Sequence, residues 1–157
     1  MTVEKNKKIM TSSTYGKRAI AALIDFVISY GIGFTLFLTG LSMVINDRAR
    51  GFAIFIMFAG PIAGLIVAFW NKVFKEGKTG QSIGKAQMGI SLVDSTTGMP
   101  LGPGRCFLRE FVFVLLNGMT SSVFGLLDYL WPLWDAKDER LMDKIMSSRV
   151  VKSGITF

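Results

Sequence analysis

The sequence predicts an all-α membrane protein: a helical hairpin with its N-terminus inside the cell, a polar cytoplasmic loop, and a third membrane segment. Half of the 157 residues are hydrophobic and the mean hydropathy is +0.45, which is too apolar for an ordinary soluble domain. The apolar residues form long runs, and basic residues cluster beside those runs. A lipid bilayer selects both patterns.

The first two apolar segments have the composition of transmembrane helices. Residues 19–45 contain one charged residue, Asp25, and residues 51–73 contain only Lys72. Because about 20 residues suffice for a helix to cross the hydrocarbon, both segments are predicted to span it. The first run is too long for the core of a signal peptide and no small-residue cleavage site follows it, so we expect an uncleaved anchor.

A third apolar segment covers residues 110–134 but is interrupted. It contains Asn117, Asp128 and Pro132, and such residues inside a membrane need partners within the protein. The segment is therefore apolar enough to span the membrane but interrupted enough to be broken or re-entrant. The side of the C-terminus stays open, because a fully spanning segment would place Asp143 outside and a re-entrant one would return it to the N-terminal side.

The basic residues predict the orientation. The tail up to Arg18 has five Lys or Arg and one acidic residue, and residues 72–109 have six against two, so these regions hold 11 of the 18 basic residues. Cytoplasmic segments carry such an excess. Both regions are predicted to be cytoplasmic, and the link of residues 46–50 external. Membrane topology thus accounts for the net charge of +7, and no nucleic-acid partner is predicted.

The polar loop of residues 74–109 is expected to have local structure. Residues 84–88 suit a short interfacial helix, whereas residues 90–93 and 99–101, separated by a turn, suit a small hairpin. The two Gly-Lys pairs of this loop do not fit a phosphate-binding motif, because the spacing of the glycines and the residue after the second lysine both differ from it. No cofactor is expected.

Small and polar residues follow one face of each membrane segment. In the first helix this face consists of Arg18, Ala22, Asp25, Ser29, Gly33 and Gly40. In the second, helix-packing residues are predicted at four-residue steps: Gly60, Gly64 and Ala68. In the third, Asn117, Ser121, Gly125 and Asp128 share a face. We expect the three faces to converge on one interior, where Asn117 and Asp128 are candidates for an ion pathway.

Asp25 is the residue that helix packing explains least well. A carboxylate inside a membrane helix costs about 2.5 to 3.5 kcal/mol even on the lenient insertion scale. Arg18 lies seven residues earlier on the same face, about 10 Å along the axis, and its long side chain could approach Asp25. The two are predicted to form either a structural ion pair or part of a functional polar cluster.

Several separate motifs resemble the RDD family of membrane proteins. They are Arg18 and Asp25, the stretch GQSIGKAQMGISLVD, Arg109, and the stretch WDAKDERLMDKIMSSRVV. The family is named for an arginine at the start of its first helix, an aspartate within that helix and a further aspartate. Asp135 and Asp143 are the candidates for the third residue. Asp143 is preferred because it stands in the family's Leu-His-Asp-Lys pattern, although Met142 replaces the histidine.

The resemblance implies a multi-pass protein of the bacterial plasma membrane and a role in transport, with ion/proton antiport among the proposed family activities. The sequence has no His and a single Cys, so a zinc site of the usual kind and classical hydrolase chemistry are not expected. Neither a metal site nor an enzyme is predicted. Two hypotheses remain: a transporter or transporter subunit that self-associates, and an accessory subunit packed against a larger membrane protein complex.

Overall fold

The computed structural model describes residues 13–46, 48–135 and 138–153, and this part of the chain is mostly helical. The predicted cytoplasmic tail before Ser13 lies outside the described residues, as does Asp47 in the predicted external link. The helices are α1 Tyr15–Ile45, α2 Arg50–Phe69, a π-helical segment Trp70–Lys75, α3 Glu76–Thr79, α4 Ile83–Gln87, α5 Pro103–Met119, α6 Val123–Leu130, a 3-10 turn Trp131–Leu133, and α7 Leu141–Ile145. The strands are β1 Ile90–Asp94 and β2 Ser148–Lys152.

Helices α1 and α2 pack against each other as a long hairpin. Within the described residues, two helical stretches are long and apolar enough to span a membrane, Tyr15–Ile45 and Arg50–Thr79. Only 22% and 17% of their most apolar windows are buried within the protein, and large side chains such as Leu23 and Ile66 are more than half exposed. Since a core helix of a soluble protein would bury these side chains, their exposure favours a lipid environment.

Small residues bring α1 and α2 into backbone contact, as the four-residue pattern predicts. A Cβ built on Gly33 would lie 2.6 Å from the carbonyl oxygen of Gly60, and one on Gly64 would lie 2.7 Å from the carbonyl oxygen of Ser29. Both positions therefore require glycine for the observed spacing. Ala68, one turn further along, is half-buried and lines a cleft described below.

The third membrane segment is broken. Helices α5 and α6 are separated at residues 120–122, where Ser121 and Ser122 have φ values of 48° and 72°. The side chain of Asn117 spans this break, because its Oδ1 accepts a hydrogen bond of 2.9 Å from the backbone N–H of Gly125. A Cβ on Gly125 would lie 2.5 Å from the same oxygen, so glycine makes the turn into α6 possible.

Both ends of the third segment return to the same end of the molecule. Near the start of α5, Arg109 Nη2 lies 2.8 Å from Asp143 Oδ1. Near the end of α6, Asp128 Oδ1 accepts a hydrogen bond of 2.8 Å from the N–H of Met142, the residue before Asp143. From Arg109 to Met119 the helix rises about 15 Å, roughly half of a hydrocarbon core of about 30 Å. The two ends of the segment thus lie close to each other, at Asp143 and Met142.

A small sheet corrects the all-α fold class. Strands β1 and β2 pair antiparallel, with Leu92 opposite Val150, although these two residues are 58 positions apart in the sequence. The predicted strand at residues 90–93 is present, but the predicted hairpin is not, because residues 99–101 contribute only one bridge, from Pro100 to Val93. The sheet forms because its apolar face is buried against α1, in a cluster consisting of Ala21, Ile90, Leu92, Leu101, Cys106 and Val150. The predicted helix at residues 84–88 is present as α4.

Candidate functional site

A buried carboxylate bridges two arginines at the end of the molecule that carries the sheet. Asp143 Oδ2 lies 3.3 Å from Arg18 Nη1, and Asp143 Oδ1 lies 2.8 Å from Arg109 Nη2. Arg18 is 3% exposed and Asp143 is 1% exposed. Because an unpaired charge is very costly in such a place, each of the three side chains depends on the others. The structure therefore brings together two residues of the predicted polar cluster, Arg18 and Asp143.

Arg18 also forms hydrogen bonds that connect the start of α1 with Ser13 and with strand β2. Its Nε donates to Ser13 Oγ at 2.7 Å and its Nη2 donates to the carbonyl oxygen of Val150, in β2, at 3.0 Å. A guanidinium presents its donors in a fixed plane, so these bonds define the position of β2 relative to α1. Arg18 is thus a structural junction between the first helix and the C-terminal strand.

Asp25 accepts its hydrogen bonds from uncharged donors rather than from Arg18. Its Oδ1 accepts from Asn71 Nδ2 and from the N–H of Gly84, both at 2.8 Å, and its Oδ2 accepts from Ser82 Oγ at 2.6 Å. No ion pair joins Asp25 to Arg18 within the described ranges. The carboxylate sits at the N-terminus of α4, where free N–H groups favour negative charge. These contacts explain how Asp25 is tolerated inside an otherwise apolar helix.

Asn71 and Ser82 complete this arrangement, which we call the α4 clasp: Asp25, Asn71, Ser82 and Gly84. Asn71 Oδ1 accepts from the N–H of Ile83 at 2.9 Å, and Ser82 Oγ accepts from the N–H of Lys85 at 3.2 Å. Asn71 is fully buried within the π-helical segment, and such segments often reorient one side chain at a functional site. The clasp satisfies the first N–H groups of α4 and docks it against α1.

The remaining predicted residues make separate contacts. Asp128 is buried and accepts from Met142, whereas Asn117 caps α6 at the break. No hydrogen bond within the described ranges connects Asn117 with Asp128, so the structure does not bring the two candidates for an ion pathway together. Asp135 forms an ion pair with Lys144, whose side chain is 44% exposed, and it accepts from the N–H of Glu139 at 3.0 Å. Asp135 thus lies beside the buried bridge and not in it.

Sequence reasoning did not single out Asn71, Ser82 or Arg109 as site residues. Asn71 was overlooked because it lies beside Lys72 at the end of the second predicted span, where polar residues are common. Ser82 does carry a local signal, since a serine that precedes a short helix is a typical N-cap. Arg109 was named only as a motif of the family resemblance, because a basic residue at the start of a membrane segment is also what topology alone predicts.

A cleft of about 650 Å³ opens between α1, α2, α5 and α6. Its wall is mainly aromatic and aliphatic, with charged groups at one end: Asp25, Lys72 and Glu110. Lys72 Nζ lies 3.8 Å from Glu110 Oε2, and each side chain is more than one third exposed. The cleft thus combines a large apolar volume with an incompletely buried ion pair, and small-molecule pockets in proteins commonly have this composition.

A smaller polar cavity of about 50 Å³ adjoins the cleft and shares Ala22, Asp25, Lys72, Glu110 and Tyr129 with it. It reaches the buried bridge, because Arg18 and Arg109 also line it. In residues 13–46, 48–135 and 138–153, no three His, Cys, Asp or Glu side chains are grouped as metal ligands.

Comparison with known proteins places this architecture in a family. Two proline-rich antigen homologs from Mycobacterium tuberculosis, of strains CDC 1551 / Oshkosh and ATCC 25618 / H37Rv, are each 29% identical to the chain over 147 residues. These alignments cover 83% of this chain and 59% of the relatives' own length. The proline-rich antigen of Mycobacterium leprae (strain TN) is 37% identical over 79 residues, which is 50% of this chain and 30% of that protein.

None of the solved structures matches this chain. The model of the RDD family matches residues 13–147, which include the buried bridge and the α4 clasp. Two apolar helices long enough to span a membrane fit the membrane-protein character of that family. Because the match covers most of the chain, the protein belongs to the RDD family.

Proposed function

We propose that this RDD protein is a subunit of a membrane transporter for a small solute, and that the cleft is its solute-binding site. The supporting observation is the cleft itself: about 650 Å³ in the membrane part, apolar along most of its wall and charged at one end by Lys72 and Glu110. Ligand pockets in proteins have volumes of about 300 to 1,000 Å³. Ionisable residues beside apolar membrane segments commonly mark solute pathways.

The proposal assigns the pathway to Lys72 and Glu110 rather than to the buried carboxylates. Asp25 accepts three hydrogen bonds from other residues of the protein, and Asp143 forms ion pairs with two arginines. Binding an ion at either carboxylate would require breaking the α4 clasp or the buried bridge. Lys72 and Glu110 are joined by the longest ion pair among those of the described residues, at 3.8 Å. A solute could replace that contact at little cost to the fold.

A single chain does not enclose the cleft, which supports the term subunit. Two spanning helices and a segment that reaches about half-way across the hydrocarbon leave one side of the cleft open to lipid. Transport would therefore require a second copy of the chain, or another membrane protein, to close that side. The chain spans 59% of the length of the curated relatives described above, so further segments of such proteins could also contribute.

The proposed location is the bacterial plasma membrane, with the sheet and the polar loop on the cytoplasmic side. Impermeant maleimide labelling tests this orientation with Lys78→Cys in a Cys106→Ala background. We expect no labelling of intact cells and strong labelling after permeabilisation, because Lys78 is exposed at the end of α3. Labelling of intact cells would reverse the assignment.

One observation favours an accessory subunit instead. Helix α2 presents a second groove of about 400 Å³ that is lined entirely by apolar and small side chains, including Phe55, Phe58 and Ile62. Such a face can pack against a helix of a larger membrane complex. In that case the cleft would serve no solute, and the protein would copurify with a foreign membrane protein in a fixed ratio.

The experiment that tests the transport proposal compares matched lysine variants. The protein is purified in mild detergent, its composition is determined, and solute uptake is measured in proteoliposomes. Lys72→Gln should reduce uptake at least about ten-fold while leaving yield and thermal stability near the parent values, since the exposed ion pair contributes about 0 to 1 kcal/mol. Lys78→Gln, on the exposed side of α3, is the control. Equal uptake by both variants, or a stoichiometric foreign partner without uptake, would refute the proposal.

A further inference from the structure

We infer that the cleft binds a zwitterion with a bulky apolar group, whose ammonium pairs with Glu110 and whose carboxylate or phosphate pairs with Lys72. This inference rests on the proposed function, because it names the class of solute for the same cleft. Three features of the cleft carry it: one cation and one anion side by side at its end, the unused hydrogen-bonding capacity of both groups, and the apolar wall next to them.

The hydrogen bonds of Lys72 and Glu110 set them apart from Asp25, the other charged group in the cleft wall, which accepts three. Lys72 Nζ and Glu110 Oε2 are 3.8 Å apart, which is beyond hydrogen-bond distance. No side-chain hydrogen bond to either group is found in the described part of the chain. An ammonium has three donors and a carboxylate has two acceptor oxygens. A ligand can therefore bond to both groups without breaking a hydrogen bond of the fold.

Charges of both signs surround this ion pair. Glu76 attracts and Arg140 repels the Lys72 ammonium. Arg109 attracts the Glu110 carboxylate. A solute with a single charge would draw one member of the pair away from the other and leave the second charge beside an apolar wall. That is costly, because the two side chains are only 37% and 36% exposed. A zwitterion instead gives each group a new charged partner, so the cleft favours a molecule with both signs.

The apolar group of the ligand has a wall to contact. Aromatic and aliphatic side chains of three helices form this wall, among them Phe26 of α1, Ile66 and Phe69 of α2, and Phe113 of α5. Apolar surface buried against them is removed from water. The cleft volume of about 650 Å³ admits a ring or a longer chain. The ligand is thus either a free solute, such as an apolar amino acid, or a membrane lipid with a zwitterionic head.

The experiment measures binding to the full chain in nanodiscs of phosphatidylglycerol, a lipid that has no cationic group. L-phenylalanine is the zwitterionic probe. Its matched analogues are 3-phenylpropionate, which lacks the ammonium, 2-phenylethylamine, which lacks the carboxylate, and glycine, which lacks the ring. Equilibrium dialysis should show one saturable phenylalanine site per chain, with an affinity at least about ten-fold higher than for either singly charged analogue. Glycine should not bind measurably, and empty nanodiscs give the background.

Variants of the two charged residues should change the selectivity in opposite directions. In Lys72→Gln, phenylalanine loses the partner of its carboxylate, so its affinity should fall to within about two-fold of that of phenylethylamine. In Glu110→Gln, it should fall instead to within about two-fold of that of phenylpropionate, for the matching reason. Lys78→Gln, on the exposed side of α3, should keep the selectivity of the parent. A purely structural role of the pair would lower all affinities alike.

A second variant pair tests the apolar half of the site. Val114→Trp places a ring in the cleft and should abolish phenylalanine binding, because Val114 is part of the cleft lining. Leu115→Trp, at the neighbouring exposed position outside that lining, should bind phenylalanine normally. Equal binding by these two variants would contradict a site in the cleft.

Competition distinguishes the two sources of the zwitterion. Displacement of phenylalanine by lysophosphatidylethanolamine but not by lysophosphatidic acid, which lacks the ammonium, would support the site and assign it to a membrane lipid. Displacement by neither would assign the site to a free solute. Equal displacement by both would overturn the inference, since the ammonium would then contribute nothing.

The results also separate this inference from the proposed function. Equal affinities of the parent protein for phenylalanine and either singly charged analogue, or no saturable binding of phenylalanine, would overturn the zwitterion site. Lysine-dependent uptake of another solute would then leave transport in place. Zwitterion-selective binding without uptake into proteoliposomes would support the site and refute only transport.

Discussion

Removal of the Asp25 carboxylate should destabilise the protein strongly, because three buried donors lose their acceptor at once. In Asp25→Ala, the side-chain amide of Asn71, the hydroxyl of Ser82 and the N–H of Gly84 would be left without their bonds of 2.8, 2.6 and 2.8 Å. Each unsatisfied buried donor costs about 1 to 3 kcal/mol, which gives about 3 to 9 kcal/mol in total. Water from the adjoining cavity can satisfy part of this deficit, so we expect about 3 to 5 kcal/mol.

Asp25→Asn is the matched control, because an amide keeps the shape of the carboxylate. Its Oδ1 can still accept from Asn71 and Gly84, and only the bond to Ser82 must change its direction. The expected loss is about 1 to 2 kcal/mol, the value of one altered hydrogen bond to a formerly charged group. The ratio of the two losses thus distinguishes the hydrogen bonds from the charge.

The measurement is the free energy of unfolding in mixed micelles, followed by tryptophan fluorescence as the fraction of SDS increases. If Asp25→Ala unfolded within about 0.5 kcal/mol of the parent, a shift typical of surface substitutions, the α4 clasp would contribute nothing and the reasoning would be refuted. An Asp25→Asn protein as unstable as Asp25→Ala would show that the negative charge matters more than the three bonds.

Three further predictions follow from packing and protonation. Gly64→Leu should lower the thermal unfolding midpoint sharply, because even a Cβ would lie 2.7 Å from the backbone of α1; an unchanged midpoint would place Gly64 against lipid. Burial raises the pKa of the Cys106 thiol to about 11, so maleimide at pH 8 should label Cys106 only after unfolding. The stability that the neutral thiol contributes is present below about pH 8.5 and should be lost as the pH rises towards 11. The guanidinium of Arg105, followed by the Thr96 hydroxyl, holds the pKa of Asp94 well below its usual range. The stability that the Asp94 carboxylate contributes is therefore present above about pH 3.9 and is lost as the pH falls through the folded pKa. Asp94→Asn should remove this acid-dependent loss from a pH series of unfolding midpoints, and a series identical to that of the parent would contradict the prediction.

The membrane helices were predictable because their signals are local. The length of an apolar run decides whether it can span a bilayer, and the four-residue spacing of Gly60 and Gly64 decides which face can approach another backbone. Both features are read from adjacent residues. The interruption of the third segment was also visible in the sequence. Whether the segment returns Asp143 to the end of the molecule that holds Arg18 is a question that no local pattern answers.

The contacts of Asp25 were not predictable in the same way. Arg18 was the nearest cation in the sequence, and residues seven positions apart lie on the same face of a helix. The structure instead supplies donors from residues 46 to 59 positions away. Strand β2 is a similar case, since its partner β1 lies far earlier in the chain and only burial against α1 selects that pairing.

The junction at Arg18 has a consequence for the order of events during synthesis. Its partners Asp143 and Val150 lie 125 and 132 residues later, so the first helix must enter the membrane long before these partners leave the ribosome. At roughly 5 to 20 residues per second, Arg18 would wait several seconds or more without its carboxylate. During that interval the inserted hairpin is an open intermediate, and a chaperone or a second chain could occupy the position that β2 later takes.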